Sequence, residues 1–168
     1  LEWAEVAILD QRPLDQRARQ DASGPLGEIG EGMERGARMA LEALLVPQAV
    51  GAQGVVFSAG DRDRDLLVVA SGHITLSTCW PPERGLRLAT VGPGMVFGEM
   101  AFLSGAERSA SAGAERGAAR LMRLSRERFD GWARQYPEAG LVLMENLAQM
   151  GARRLGATTR QLRSVLEQ

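Results

Sequence analysis

With 168 residues and a formal net charge of −1, the chain can build one domain with a proper core plus flanking pieces, and it carries no global field that would draw nucleic acid. All 20 basic residues are arginine, which excludes a Schiff-base lysine, a P-loop lysine and a lysine general base. A single Cys79 and a single His73 leave little for metal or triad chemistry, so no catalytic residue, metal ligand or cofactor is assigned and no enzyme is expected.

The charge is uneven. Residues 1–115 hold 10 Arg against 16 acids and residues 116–168 hold 10 Arg against 5, giving halves of −6 and +5. The basic final segment reads as a solvated helix face, or else as a docking surface for an acidic partner or a headgroup layer. No apolar run approaches membrane-spanning length, and the unpaired Cys79 fits a reducing compartment, so a cytoplasmic location is expected.

In chain order, residues 1–10 (LEWAEVAILD) open as a helix with Leu1, Ala4 and Ile8 on one face and nothing local to pack against, which reads as the tail of a preceding domain. Residues 11–32, rich in Pro and Gly, have linker composition. A helical stripe follows at Met33, Ala37, Ala40, Leu41, Leu44 and Leu45, running to Val46 and ended by Pro47. Between 48 and 124 the spacing predicts short strands at Val55–Phe57, Leu66–Ala70, Ile74–Thr78, Leu86–Val91, Val96–Phe97, Ala110–Ala114 and Ala119–Leu124, parted by Gly, Pro and Asp. Regular short strands of this kind predict a sandwich or barrel. The alternating charges of Asp61–Asp65 read as a solvated loop.

Ser125 is expected to cap a helix whose buried edge is Phe129, Trp132 and Ala133. Pro137 can open the last helix, with an apolar stripe at Leu141, Met144, Ala148, Leu155, Leu162 and Leu166. Gly140, Gly151 and Gly156 interrupt that helix at roughly 1 kcal/mol each, so in isolation it should be only marginally stable.

The chemistry is concentrated in residues 97–111, FGEMAFLSGAERSAS. Gly98 allows close backbone approach to a ligand. The turn Met100–Leu103 aims unpaired N–H groups at an anion. Arg108 presents a planar fork of donors to phosphate oxygens, with Ser109 and Ser111 beside it. Ionised Glu99 can only accept hydrogen bonds, which suits sugar hydroxyls. The bland alternative is an ion pair between Glu99 and Arg108. Phe97, Phe102 and Leu103 read as core.

This stretch resembles the phosphate-binding cassette of the cyclic-nucleotide-binding domain family, the CAP-like effector domain, whose pattern is F-G-E, an apolar turn, then R-[ST/A]-A-[ST]. The resemblance runs from about Gly54 to about Leu166 and includes Phe57, Gly60-Asp61, Leu66–Val69, Gly72 and the approach Val91-Gly92-Pro93-Gly94. It implies a mainly β fold with flanking helices: a cyclic-nucleotide-binding β-roll, jelly-roll-like, with an N-terminal helix and two C-terminal helices. It places the domain at 33–168. It also implies a site made of Gly98, Glu99, Met100, Ala101, Arg108, Ser109 and Ala110, in which Glu99 meets the ribose 2′-hydroxyl while the amides of Gly98–Ala101, Arg108 and Ser109 hold the cyclic phosphate. Glu107 departs from the proline that many members carry, adding a negative charge near the anion site.

The resemblance favours cAMP, because Ser109 follows the arginine where the family's cGMP-selective members tend to have threonine, with cGMP the other ligand considered. In the family the final helix covers the base; the candidates here are Met150, Arg153, Arg154 and Leu155, with Val91 or Val96 on the barrel side. The segment 138–160 is expected to be loosely ordered without ligand and to pack down on binding. Leu1–Glu5 resembles the junction after the STAS domain of bacterial sulfate-permease-type transporters. A regulatory domain relaying a cyclic nucleotide to such a covalently attached upstream transporter is therefore expected, with the membrane met only through that parent. A homodimer is a further expected partnership. Nucleic acid is not expected, since the family's DNA-binding use calls for a helix-turn-helix after the final helix. The alternative function is a degenerate domain kept for its fold and its interactions.

Overall fold

The computed structural model describes residues 24–167. The helix expected at 1–10 and the first part of the linker expected at 11–32 lie outside the described residues. The elements run as a 3₁₀ turn (Gly24–Gly30), α1 (Arg35–Glu42), β1 (Val46–Val50), β2 (Val55–Phe57), β3 (Leu66–Ser71), β4 (Ile74–Ser77), a second 3₁₀ turn (Pro82–Arg84), β5 (Arg87–Val91), β6 (Val96–Phe97), α2 (Glu99–Ser104), β7 (Ser111–Gly113), β8 (Ala119–Leu124), α3 (Arg126–Gln135) and α4 (Pro137–Leu166). The strands form two antiparallel sheets of four, in the orders β1-β8-β3-β6 and β2-β7-β4-β5. This is the β-roll with flanking helices that the sequence implied.

The run Leu66-Leu67-Val68-Val69 shows how one strand serves two cores. Successive side chains in a strand point to opposite faces. Leu66 and Val68 join a cluster with Leu26, Ile29, Leu41, Phe129, Trp132, Leu143 and Leu147, under the helices. Leu67 and Val69 join Val50, Phe57, Ile74, Val91, Phe97 and Leu121 inside the roll. A strand buried on both faces reads as an unbroken apolar run, and all four of these residues are buried.

Three expectations are corrected here. The helix expected over 33–46 stops at Glu42, and Val46–Val50 is a strand instead. Pro47 sits within β1, which among the described residues pairs only with β8 at the edge of its sheet, where a missing N–H is tolerated. Residues 24–30 are not linker: Leu26 and Ile29 are fully buried, and the side-chain amide of Asn146 donates to Ile29 O and Glu31 O at 2.9 and 2.8 Å. Two of the glycines that suggested a linker serve close packing: a Cβ on Gly27 would stand 2.3 Å from Gly94 O, and one on Gly30 2.9 Å from the Leu26 Cβ.

The last correction concerns α4. Its buried side is Ala139, Gly140, Leu143, Leu147 and Met150, whereas Leu141, Leu155, Leu162 and Leu166 of the expected stripe are exposed. Gly140 is part of the packing, since a Cβ there would lie 3.1 Å from the Ala133 methyl. Residues 137–166 form one continuous helix whose first half is built into the core, while the stretch past Met150 is largely exposed. The Ser125 cap forms as expected, its Oγ accepting from Arg128 N at 3.2 Å. Among the described residues no helix is long and apolar enough to cross a membrane.

Candidate functional site

The β6–α2 junction sets the site. Gly98 caps α2 at φ 79° and ψ 12°, a left-handed conformation, and a Cβ there would meet Arg108 Nη1 at 2.7 Å. Only glycine supplies both the backbone and the clearance. The first turn of a helix lacks intrahelical acceptors for its N–H groups, so the amides of Glu99, Met100 and Ala101 are offered outward. Phe97 and Phe102 are fully buried on either side and anchor the turn. Leu103, expected in the core, is 42% exposed, because α2 is a single short helix with one face on the roll.

Arg108 is 3% exposed and is held from several directions. Its Nη1 donates to Gly98 O at 2.9 Å, and its Nη2 to Asp65 O at 2.7 Å. Its Nε donates to Asp63 Oδ1 at 3.2 Å, and Nη2 also bonds Asp63 Oδ2. The guanidinium lies 4.2 Å over the Phe57 ring. Burial pushes the Asp63 carboxyl up, but the hydrogen bond and charge of Arg108, the charge of Arg123 and an Asp65 N–H bond outweigh it and hold it below its usual value. The loop expected to be solvated is thus the scaffold that holds Arg108. Its alternating Asp and Arg residues were the available signal, since paired charges at that density beside a buried cation are structural.

Glu99 and Arg108 are not paired with each other; each has its own partner. Arg154 of α4 reaches across to donate from Nη1 to Glu99 Oε1 at 3.4 Å, and from Nη2 to Val96 O at 2.6 Å and Glu28 Oε1 at 3.3 Å. Of the four lid candidates only Arg154 makes such a contact: Met150 is buried in the core, and Arg153 and Leu155 are exposed. Val91 and Val96 are also buried. Ser111 is buried and accepts from Ala59 N at 2.9 Å, which makes it a hook within the roll. Ser109 and Glu107 are exposed.

All seven site residues named from the sequence line one open recess: Gly98, Glu99, Met100, Ala101, Arg108, Ser109 and Ala110, joined by Phe57 and Leu76. Phe57 and Leu76, on strands of the second sheet, were not singled out as site residues because nothing in their local spacing separates a recess wall from core. The arrangement offers a sugar-competent carboxylate, outward amides and a clamped guanidinium around one small cavity.

The family model for the cyclic nucleotide-binding domain matches residues 47–136. The chain belongs to the cyclic nucleotide-binding domain family. Thermus thermophilus Catabolite Activator Protein matches in structure with a TM-score of 0.67 at 31% identity, over 82% of this chain and 62% of that one. In sequence, Glutaminase 1 of Bradyrhizobium diazoefficiens is 35% identical over 164 residues, 92% of this chain and 24% of that protein. A CRP-like cAMP-activated global transcriptional regulator of Mycobacterium tuberculosis is 28% identical over 138 residues, 82% of this chain and 59% of the regulator. The chain spans between 15% and 59% of the length of the curated relatives it matches. With a transcriptional regulator among those relatives, the sequence-based exclusion of nucleic acid is not carried forward.

Proposed function

We propose that this regulatory cyclic nucleotide-binding domain takes cAMP into the recess at Gly98–Ala110 and passes occupancy to an attached effector through α4. Glu99 accepts from the ribose 2′-hydroxyl. The amides from Gly98 to Ala101, Arg108 and Ser109 hold the cyclic phosphate. The observation that carries the relay is the reach of Arg154 from α4 to Glu99, because a ligand that engages Glu99 must also change what α4 holds. A ligand shifts such an equilibrium only by its differential affinity for the two states.

The effector is proposed to lie on the same polypeptide. The long match to Glutaminase 1 supports a catalytic unit there, in place of the STAS-linked transporter expected from Leu1–Glu5. A cytoplasmic setting belongs to the same proposal. A homodimer is supported by α4, where Leu155, Leu162 and Leu166 are exposed at coiled-coil-like spacing.

Calorimetric titration with cAMP and cGMP tests the ligand. Saturable heat from cAMP, tighter than from cGMP, is expected. Arg108→Ala should weaken it by about 2–5 kcal/mol, the cost of truncating one side of a buried charged contact. No heat from either nucleotide at millimolar concentration would instead favour the degenerate, interaction-only domain.

A further inference from the structure

We propose that Arg64 and Arg126 are positioning residues of the nucleotide site, holding α2 in place by its C-terminal carbonyls. The inference rests on the reading of the recess as a cyclic-nucleotide site. α2 has six residues, too few to be stable alone. Its N-terminal amides face the recess, so the angle of the helix sets their aim. The opposite end is gripped twice. Arg64 donates from Nε to Ala101 O at 3.2 Å and from Nη2 to Phe102 O at 3.0 Å. Arg126 donates from Nη1 to Phe102 O at 2.6 Å. Cations at a helix C-terminus also oppose its dipole favourably.

Both arginines are themselves fixed. The Nε of Arg126 donates to Asp130 at 2.8 Å, and its guanidinium sits 5.1 Å from the Phe102 ring and 5.3 Å from that of Phe129. Arg64 stands between Asp63 and Asp65, the two residues that clamp Arg108. One tripeptide therefore sets both the cation and the amides of the site. Arg126 opens α3 and so ties α2 to the helix on which α4 packs. Neither arginine lines the recess, so their effect on binding must act through α2.

The test is cAMP titration of the full chain as wild type, Arg64→Met, Arg126→Met and Arg126→Lys, with thermal melts and hydrogen exchange at the amides of 99–101. Arg126→Met should bind cAMP about tenfold more weakly or worse, the fold-change of one lost charge-assisted bond. Arg64→Met should lose at least as much. Arg126→Lys should stay within about threefold of wild type, since one ammonium donor can still reach Phe102 O. Melting temperatures should stay together while exchange at 99–101 quickens in the two methionine variants. Affinities within twofold of wild type in both methionine variants would overturn the proposal. So would an affinity loss that tracks a lowered melting temperature and is not rescued by lysine. A wild type that takes up no cAMP would sink the nucleotide reading alone; the exchange rates at 99–101 would then decide whether the arginines hold α2, and unchanged rates would overturn that claim too.

Discussion

Replacing Asp63 with alanine removes the carboxylate partner of a guanidinium that is almost entirely buried. The side chains of Arg108 and Asp63 are 2% and 34% exposed. Stripping one partner from a buried pair costs about 3–5 kcal/mol, because the remaining charge is left uncompensated. Here Arg108 keeps Gly98 O, Asp65 O and the Phe57 ring, and Asp63 is partly wet, so the expected loss is smaller, about 2–3 kcal/mol. Urea unfolding reads this directly: with a slope of about 2 kcal/mol per molar, the midpoint should fall by about 1–1.5 M. The Asp63→Ala/Arg108→Met double variant should recover at least ~1 kcal/mol relative to additivity, since methionine leaves no orphaned charge. An Asp63→Ala midpoint within about 0.25 M of wild type would refute the reasoning and return the loop to a solvated role.

Gly98→Ala should abolish measurable cAMP binding and cost about 1–3 kcal/mol, since it forces a Cβ onto Arg108 Nη1 at a positive φ; calorimetry and a melt check both. Leu143→Ala should cost about 2–5 kcal/mol by opening a cavity. Leu141→Ala, on the exposed face of the same helix, should stay within about 0.5 kcal/mol, and equal losses from the two would place Leu141 on the buried face of α4 instead. The Asp63 carboxyl is held below its usual value, so its contribution is fully present above the unfolded pKa of about 3.9 and is lost as pH falls through the lower folded value. Urea midpoints should therefore be flat from about pH 8 to 5 in this respect, and below about pH 4 Asp63→Asn should decline less steeply than wild type. Arg154→Gln should quicken hydrogen exchange over 151–160 without lowering the unfolding free energy by more than about 1 kcal/mol, because its contacts are partly exposed.

Much of the fold was legible because its signals are local. Seven strands follow from alternating or continuous apolar runs closed by Gly, Pro and Asp. Ser125 and Pro137 mark helix starts by their own chemistry. β1 was missed because Val46-Pro47 looks like a helix stop, and only the pairing with β8 makes it a strand. The register of α4 was misread because its sequence holds two apolar stripes, and which one is buried is decided by the helices and the sheet it meets. The seven site residues were legible as a set because a single stretch carries them. Asp63, Phe57 and Leu76 come from distant stretches, and only folding brings them to the recess or its partners, while Arg154 was one of four lid candidates that only the fold tells apart. Arg64 and Arg126 were hidden for a further reason: they act on carbonyl oxygens, which every residue has and no motif records.

Hydrogen exchange with and without saturating cAMP, followed at the amides of 99–101 and over 151–160, tests the central claim most directly. Slower exchange is expected at both places, since the ligand engages the first turn of α2 and, through Glu99 and Arg154, the exposed half of α4. Identical exchange at both places would contradict it.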